Sequence, residues 1–408
     1  MPNNRTLFAT GLRCARPVAA LISLMLTCAV LTACSNRKPD TVVLSETAQL
    51  GELLFHDVSL SASGAMSCAT CHAASSGHAQ PNALPAQFGG AMLNLQGSRT
   101  APSIRYLNET PPFHFNAEGK ATGGFFWDGR ANTLAEQAAG PLFNAVEMAL
   151  PNPAALADKL GKAGYAARFQ AAFGRDIFLE PDATLAAVTK ALQAYQLEDP
   201  IFRPYNSQYD LFLQGKATLT AAQQRGLALF KDPEKGNCAA CHPADVRENG
   251  KPPLFTDFTY DSLAVARNAE LRGNANPLYF DLGLCARSTG DLVDRSELCG
   301  LFKVPSLRNV ALRQAFFHNG QFKTLREAVA FYVQRDTHPE KFYARGSDGK
   351  VNVYDDLPQR YKGNVNTEEV PYNNVRGGTP VLNDSEVDDV VAFLQTLNDG
   401  YSGAMKGR

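Results

Sequence analysis

Apolar residues recur at helical spacing in three stretches of the chain. In "GQFKTLREAVAFYVQRD" (320–336), Leu325, Ala328, Val329 and Tyr332 fall at i, i+3, i+4 and i+7 and share one face. A Thr324–Glu327 capping box predicts where that helix starts. Leu185, Val188, Leu192 and Tyr195 mark a second helix, and Val387, Val390, Val391, Leu394 and Leu397 a third. Alternating, strand-like runs are sparse, and the Pro-, Gly- and Asn-rich connections are long. The expectation is a mainly α protein.

With 408 residues, 45% of them apolar, the chain can fill two cores. Its first 33 residues read as an export signal: Arg5, Arg13 and Arg16 precede an apolar run from Val18 to Ala33. That run ends in Leu31-Thr32-Ala33-Cys34, which resembles a bacterial lipobox and makes Cys34 the expected lipid-anchored N-terminus in the periplasm. An uncleaved anchor or a plain secretory signal is the alternative. Cleavage removes three arginines and no acids, so the formal charge falls from −1 to −4. Nothing in that balance points to nucleic acid. Of the cysteines that remain, Cys285 and Cys299 lie in a loop-like stretch; in an oxidising compartment they read as a disulfide, with a free thiol pair as the alternative.

The segments 51–72 and 226–242 share Gly-x-x-x-Phe-x-Asp followed by Cys-x-x-Cys-His, an internal duplication. The domains expected from it are 48–215 and 216–400, behind a tether at 34–47 and ahead of a tail at 401–408; the new helix cap after Gly215 is Thr220. In Cys68-Ala69-Thr70-Cys71-His72 and Cys238-Ala239-Ala240-Cys241-His242, two thiols one helical turn apart can add across the two vinyl groups of a haem, and the adjoining His meets the iron. Zinc would need four ligands converging from distant repeats and would not require His at the same offset in both. The expected cofactors are therefore two covalent c-type haems, with long loops of two tandem cytochrome c-type domains wrapped around them. The sixth iron positions then decide function. Met405 is the only methionine after His242, so His318, His338 and Tyr332 are the candidates at the second iron.

Residues 45–400 resemble the bacterial di-haem cytochrome c peroxidase and MauG family. The likeness rests on both haem motifs, "RTAPSIRYLN" (99–108), "FFWDGRANTLAEQAAGPLFNAVEMA" (125–149), "FKVPSLRNVALRQAFFHNG" (302–320) and the last helix. In the family's peroxidases, a Met fourteen residues after the His of a His-Asp/Asn-Gly turn binds the second iron. Fourteen after His318 stands Tyr332, as in MauG-type members. The resemblance also implies Glu147 as acid–base catalyst, Gln137 as its hydrogen-bonding companion, Trp127 as the aromatic between the haems, and Pro141 beside the first haem. Sixteen residues after His72, where peroxidases of the family carry a distal His, stands Phe88; His78 is expected to be a loop residue. The first haem is thus expected to be open to peroxide. A calcium ion usually lies between the haems, held by an Asn side chain and two carbonyls. Here those positions are Thr100, Arg313 and Ala315, which replaces the Asn and adds a cation.

These features imply a periplasmic enzyme that uses hydrogen peroxide to reach a high-valent two-haem state and oxidises a side chain of a partner protein. The stretch 335–361, with the Cys285/Cys299 loop, resembles the MbnH-like branch, which makes tryptophan the expected target. The alternatives are a cytochrome c peroxidase fed by a small periplasmic electron donor and a non-catalytic electron-transfer cytochrome.

Overall fold

The computed structural model describes residues 42–403; the export signal, Cys34 and Met405 lie outside them. Ten α-helices are present among the described residues: α1 (Glu46–His56), α2 (Cys68–Cys71), α3 (Leu134–Phe143), α4 (Pro153–Gly161), α5 (Ala166–Phe173), α6 (Pro181–Glu198), α7 (Gln208–Leu213), α8 (Ala221–Lys231), α9 (Leu325–Gln334) and α10 (Asp384–Gln395). The three periodic stretches are α9, α6 and α10, and the Thr324 capping box opens α9 as expected. Thr220 caps α8. Strand is confined to three antiparallel pairs of two residues each. None of the described helices is long and apolar enough to cross a membrane.

Two large apolar clusters organise the chain. One draws its buried residues from between Leu50 and Phe202, the other from between Tyr209 and Leu397. In the first, α1 lies across α6; in the second, α8 lies across α10. The duplicated Gly-x-x-x-Phe explains both crossings. A Cβ on Gly51 would overlap the Ala191 carbonyl, and one on Gly226 the Asp389 carbonyl, so only glycine lets these helices approach. One turn further on, Phe55 and Phe230 are buried in their respective clusters.

Cys285 and Cys299 form the disulfide. Their loop makes a third cluster with Ala121 and Tyr260. From it, Arg287 donates to the Gly129 carbonyl at 3.1 Å, so the loop grips the segment carrying Trp127.

Candidate active site

The two Cys-x-x-Cys-His motifs are presented in the same way. The His72 Nδ1–H donates to the His78 carbonyl (3.1 Å), and the His242 Nδ1–H to the Phe255 carbonyl (2.8 Å). Burial holds both imidazoles below their ordinary pKa, so each is neutral and keeps an Nε2 lone pair for a metal. The accepting residues are themselves equivalent, with φ of 54° at His78 and 55° at Phe255. A repeated Pro-Ser-x-Arg segment pins each turn: Ser103 Oγ donates to the Gly77 carbonyl (2.6 Å), Ser306 Oγ to the Leu254 carbonyl (2.7 Å). His78 is therefore a turn residue on the proximal side. Its own Nδ1 accepts from Arg105 Nε (3.0 Å), and burial beside that cation pushes its pKa down to about 3.

Burial pushes the Cys68 thiol up to about 12 and the Cys71 thiol to about 11, and both Cys238 and Cys241 to about 12. Among the described residues no three His, Cys, Asp or Glu side chains converge as a metal site, so the pairs do not share a zinc ion. A cavity of about 220 Å³ includes Cys238, Cys241, His242 and Tyr332 and extends to Trp127 and Arg313. A single water needs only about 10–15 Å³, so this space fits a large group. The apolar stripe of α9 faces that cavity: Leu325, Ala328, Val329 and Tyr332 all line it. Ala328 and Val329 also belong to the apolar cluster of the second half, so the stripe is partly core and partly cavity lining, as the sequence implies. The donor set and the cavity fit a c-type haem at the second motif, and the matching donor set fits one at the first.

Tyr209, Tyr260 and Tyr343 each donate to a backbone carbonyl, the usual arrangement for a buried phenol. The Tyr332 hydroxyl has no such partner among the described residues. Burial, with Cys241, Asp261 and Cys238 nearby, raises its pKa far above 10, so it ionises only in exchange for a strong cation. Of the competing ligands, His318 also lines the cavity and stacks flat on Phe302 at 3.6 Å; its buried Nε2, 3.6 Å from Asp356, has no hydrogen-bond partner among the described residues. His338 sits beside Glu340 and is not among the residues lining the cavity. Tyr372 is a second phenol facing the cavity, 6.3 Å from Tyr332 between ring centroids. It lies in a loop with no motif, and sequence reasoning missed it.

A third repeated block had also gone unread. Segment 125–143 matches 316–334 at an offset of 191: Phe125–Ala131 and Phe316–Phe322 form the same isolated bridge, and Phe126 and Phe317 have φ of 66° and 64°. Thr133 and Thr324 then cap α3 and α9, both ten residues long. In this register Trp127 corresponds to His318, and Pro141 to Tyr332. Tyr332 lies near Cys241 and Cys238 of the second motif, and its counterpart in the first half is a proline, whose side chain has no lone pair to give. The shared Phe-Phe-x-Asp/Asn-Gly-x-x-x-Thr-Leu-x-Glu was the available signal.

Gln137 and Pro141, at i and i+4 on α3, lie on one side of the helix. The chain then folds back, the Met148 amide donating to the Pro141 carbonyl at 3.1 Å. This brings Glu147 close enough for its charge to raise both Cys68 and Cys71. Burial raises the pKa of Glu147, with Arg130 and Asn144 opposing, and Asn144 Nδ2 donates to its Oε1 at 2.9 Å. Phe88 is covered by the Arg272 guanidinium at 4.8 Å. Trp127 is buried; its Nε1 donates to the Thr100 carbonyl (2.9 Å) and its own carbonyl accepts from the Lys303 amide (2.9 Å). It thus ties the 99–108 segment to the second half of the chain. The residues expected around calcium do not fit that ion: Arg313 itself donates to Thr100 Oγ1 and to the Ala315 carbonyl.

Residues 45–218 match the family model described as "Di-haem cytochrome c peroxidase". The chain is 34% identical to the methylamine utilization protein MauG of Paracoccus denitrificans, over 95% of each protein. It is 32% identical to the cytochrome c551 peroxidase of Nitrosomonas europaea, over 70% of this chain and 72% of that one. Among solved structures, the diheme peroxidase BthA of Burkholderia thailandensis superposes with a TM-score of 0.81 at 39% identity, covering 88% of this chain and 87% of that one. A MauG-like protein associated with microbial copper homeostasis superposes at 0.59 with 27% identity, covering 89% and 92%.

Proposed function

Because the chain belongs to the family of di-haem cytochrome c peroxidases and MauG proteins, an enzyme family of di-haem oxidoreductases, we propose that it is an exported, MauG-like member. In this reading it uses hydrogen peroxide to oxidise a side chain, tryptophan first, of a partner protein. The observation that carries it is the pairing of Pro141 with Tyr332: equivalent positions, one unable to ligate and one a phenol without a hydrogen-bond partner among the described residues.

His72 and His242 would hold the two irons through Nε2, with Cys68, Cys71, Cys238 and Cys241 in thioether links and Tyr332 on the second iron. The haems, when bound, supply the two-electron reduction of peroxide and the storage of its oxidising equivalents. Pro141 keeps the first site free of a protein ligand, while Gln137 on the same helix face orients peroxide. Glu147 Oε1 is held by Asn144, which leaves Oε2 to take a proton from one peroxide oxygen and return it to the other, released as water. A phenolate from Tyr332 donates negative charge and favours oxidised iron, so this half stores oxidising power. Trp127, buried and fastened to both halves, is placed to carry electrons between the sites.

A second reading, a cytochrome c peroxidase drawing on a small periplasmic donor, is supported by the 39% identity with a diheme peroxidase. One experiment separates the two. Peroxide is added to the holoenzyme with a co-encoded exported protein, and that protein is analysed by mass spectrometry, in parallel with an assay for oxidation of a reduced c-type cytochrome. Oxidised tryptophan with slow cytochrome turnover supports the first reading; fast cytochrome turnover with an unmodified protein establishes the second.

A further inference from the structure

Arg313 lines the cavity that includes the second haem motif and Trp127, and forms no ion pair among the described residues. Burial pulls its guanidinium down to about 10, with no carboxylate to offset the shift. Its nitrogens reach only neutral oxygens: Nε the Ala315 carbonyl (3.2 Å), Nη2 Thr100 Oγ1 (3.3 Å) and Nη1 the Ala101 carbonyl (3.5 Å). Thr100 is a hub for the adjoining segments. Its amide donates to the His318 carbonyl (2.7 Å), its hydroxyl to the Phe317 carbonyl (2.8 Å), and its carbonyl holds the Trp127 indole.

Calcium takes about six to eight oxygen ligands and favours carboxylates. Here Thr100 Oγ1 and the Ala315 carbonyl already accept from Arg313, and a divalent ion would be repelled by the guanidinium beside it. We propose that Arg313 is a built-in cation that takes the place of an inter-haem calcium ion, fixing Thr100 and, through it, the position of Trp127. Its charge also reaches His72. The guanidinium cannot be chelated, exchanged or deprotonated at neutral pH, so the connection between the haems is independent of calcium supply.

The test uses the haem-loaded full chain and reads metal content separately from the reaction. Plasma emission analysis is expected to find far less than one calcium per chain, and dialysis against EGTA to leave the absorption spectrum and peroxide turnover unchanged. One tightly bound calcium whose removal abolishes turnover would overturn the proposal, whatever the variants do. Arg313→Ala is expected to keep both haems, to lower the potential of the first haem because a neighbouring positive charge is gone, and to reduce turnover at least tenfold. Arg313→Lys is expected to recover most of the potential and part of the turnover. Unchanged potential and turnover in Arg313→Ala would assign Arg313 to packing alone and defeat the idea.

Discussion

The two halves of the chain hold their proximal histidines almost identically and treat the opposite side of each site differently. His72 and His242 donate to carbonyls at matching turns, pinned by Ser103 and Ser306. Matching ten-residue helices carry Pro141 in one half and Tyr332 at the equivalent position of the other. The shared part attaches and orients a haem, a task that is the same twice. In the proposed reading, the divergent part would set whether a site accepts an outside ligand or is closed by one of its own, dividing labour within a duplicated scaffold.

The largest break in this comparison is expected from Glu147→Gln, which removes the proton carrier of the open half only. Peroxide consumption should fall by about 10²–10⁴-fold with both haems retained, checked by stopped-flow mixing and haem content. Next comes Tyr332→Met, which makes the closed half resemble that of the family's electron-reservoir peroxidases. Spectroelectrochemistry should show the second haem's potential rising by on the order of 0.1 V or more, because a thioether replaces an anionic ligand. No change in spectrum or potential would return Tyr332 to a packing role.

Gly51→Ala and Gly226→Ala test the likeness rather than the difference. Each forces a helix crossing apart and should cost about 1–3 kcal/mol in denaturant unfolding, to a similar extent in the two halves. The smallest effect concerns pH. Burial raises the Glu147 pKa above 4.5, and its base form starts the proton transfer. kcat/KM should therefore decline as pH falls through a value above 4.5, and this acid limb should vanish in Glu147→Gln.

Helix positions, the Thr324 and Thr220 caps and the haem-attachment motifs were legible because each rests on short-range spacing. The α9 stripe was legible as an inward face, and the fourteen-residue spacing from His318 marked Tyr332 as a candidate ligand; that Leu325, Ala328 and Val329 line the same cavity was not, because periodicity reports only that a face avoids water. The second and third repeated blocks escaped notice because their identity lies in turn and cap residues such as Ser103/Ser306 and Thr133/Thr324, not in an apolar rhythm. His78 was placed in a loop correctly, yet its task belongs to its backbone carbonyl, which no side-chain motif encodes. Arg313 could be flagged as a cation near Thr100, but only the fold shows its guanidinium donating to the oxygens that a metal would use.

The Cys285–Cys299 loop holds Gly129 through Arg287, two residues from Trp127. In the proposed exported form, that link would close only after the chain has left the reducing interior of the cell, where thiols stay free. The segment between the two sites would then stay unlocked among cytoplasmic proteins and be braced at its destination. The bond acts as a check on address as much as a brace.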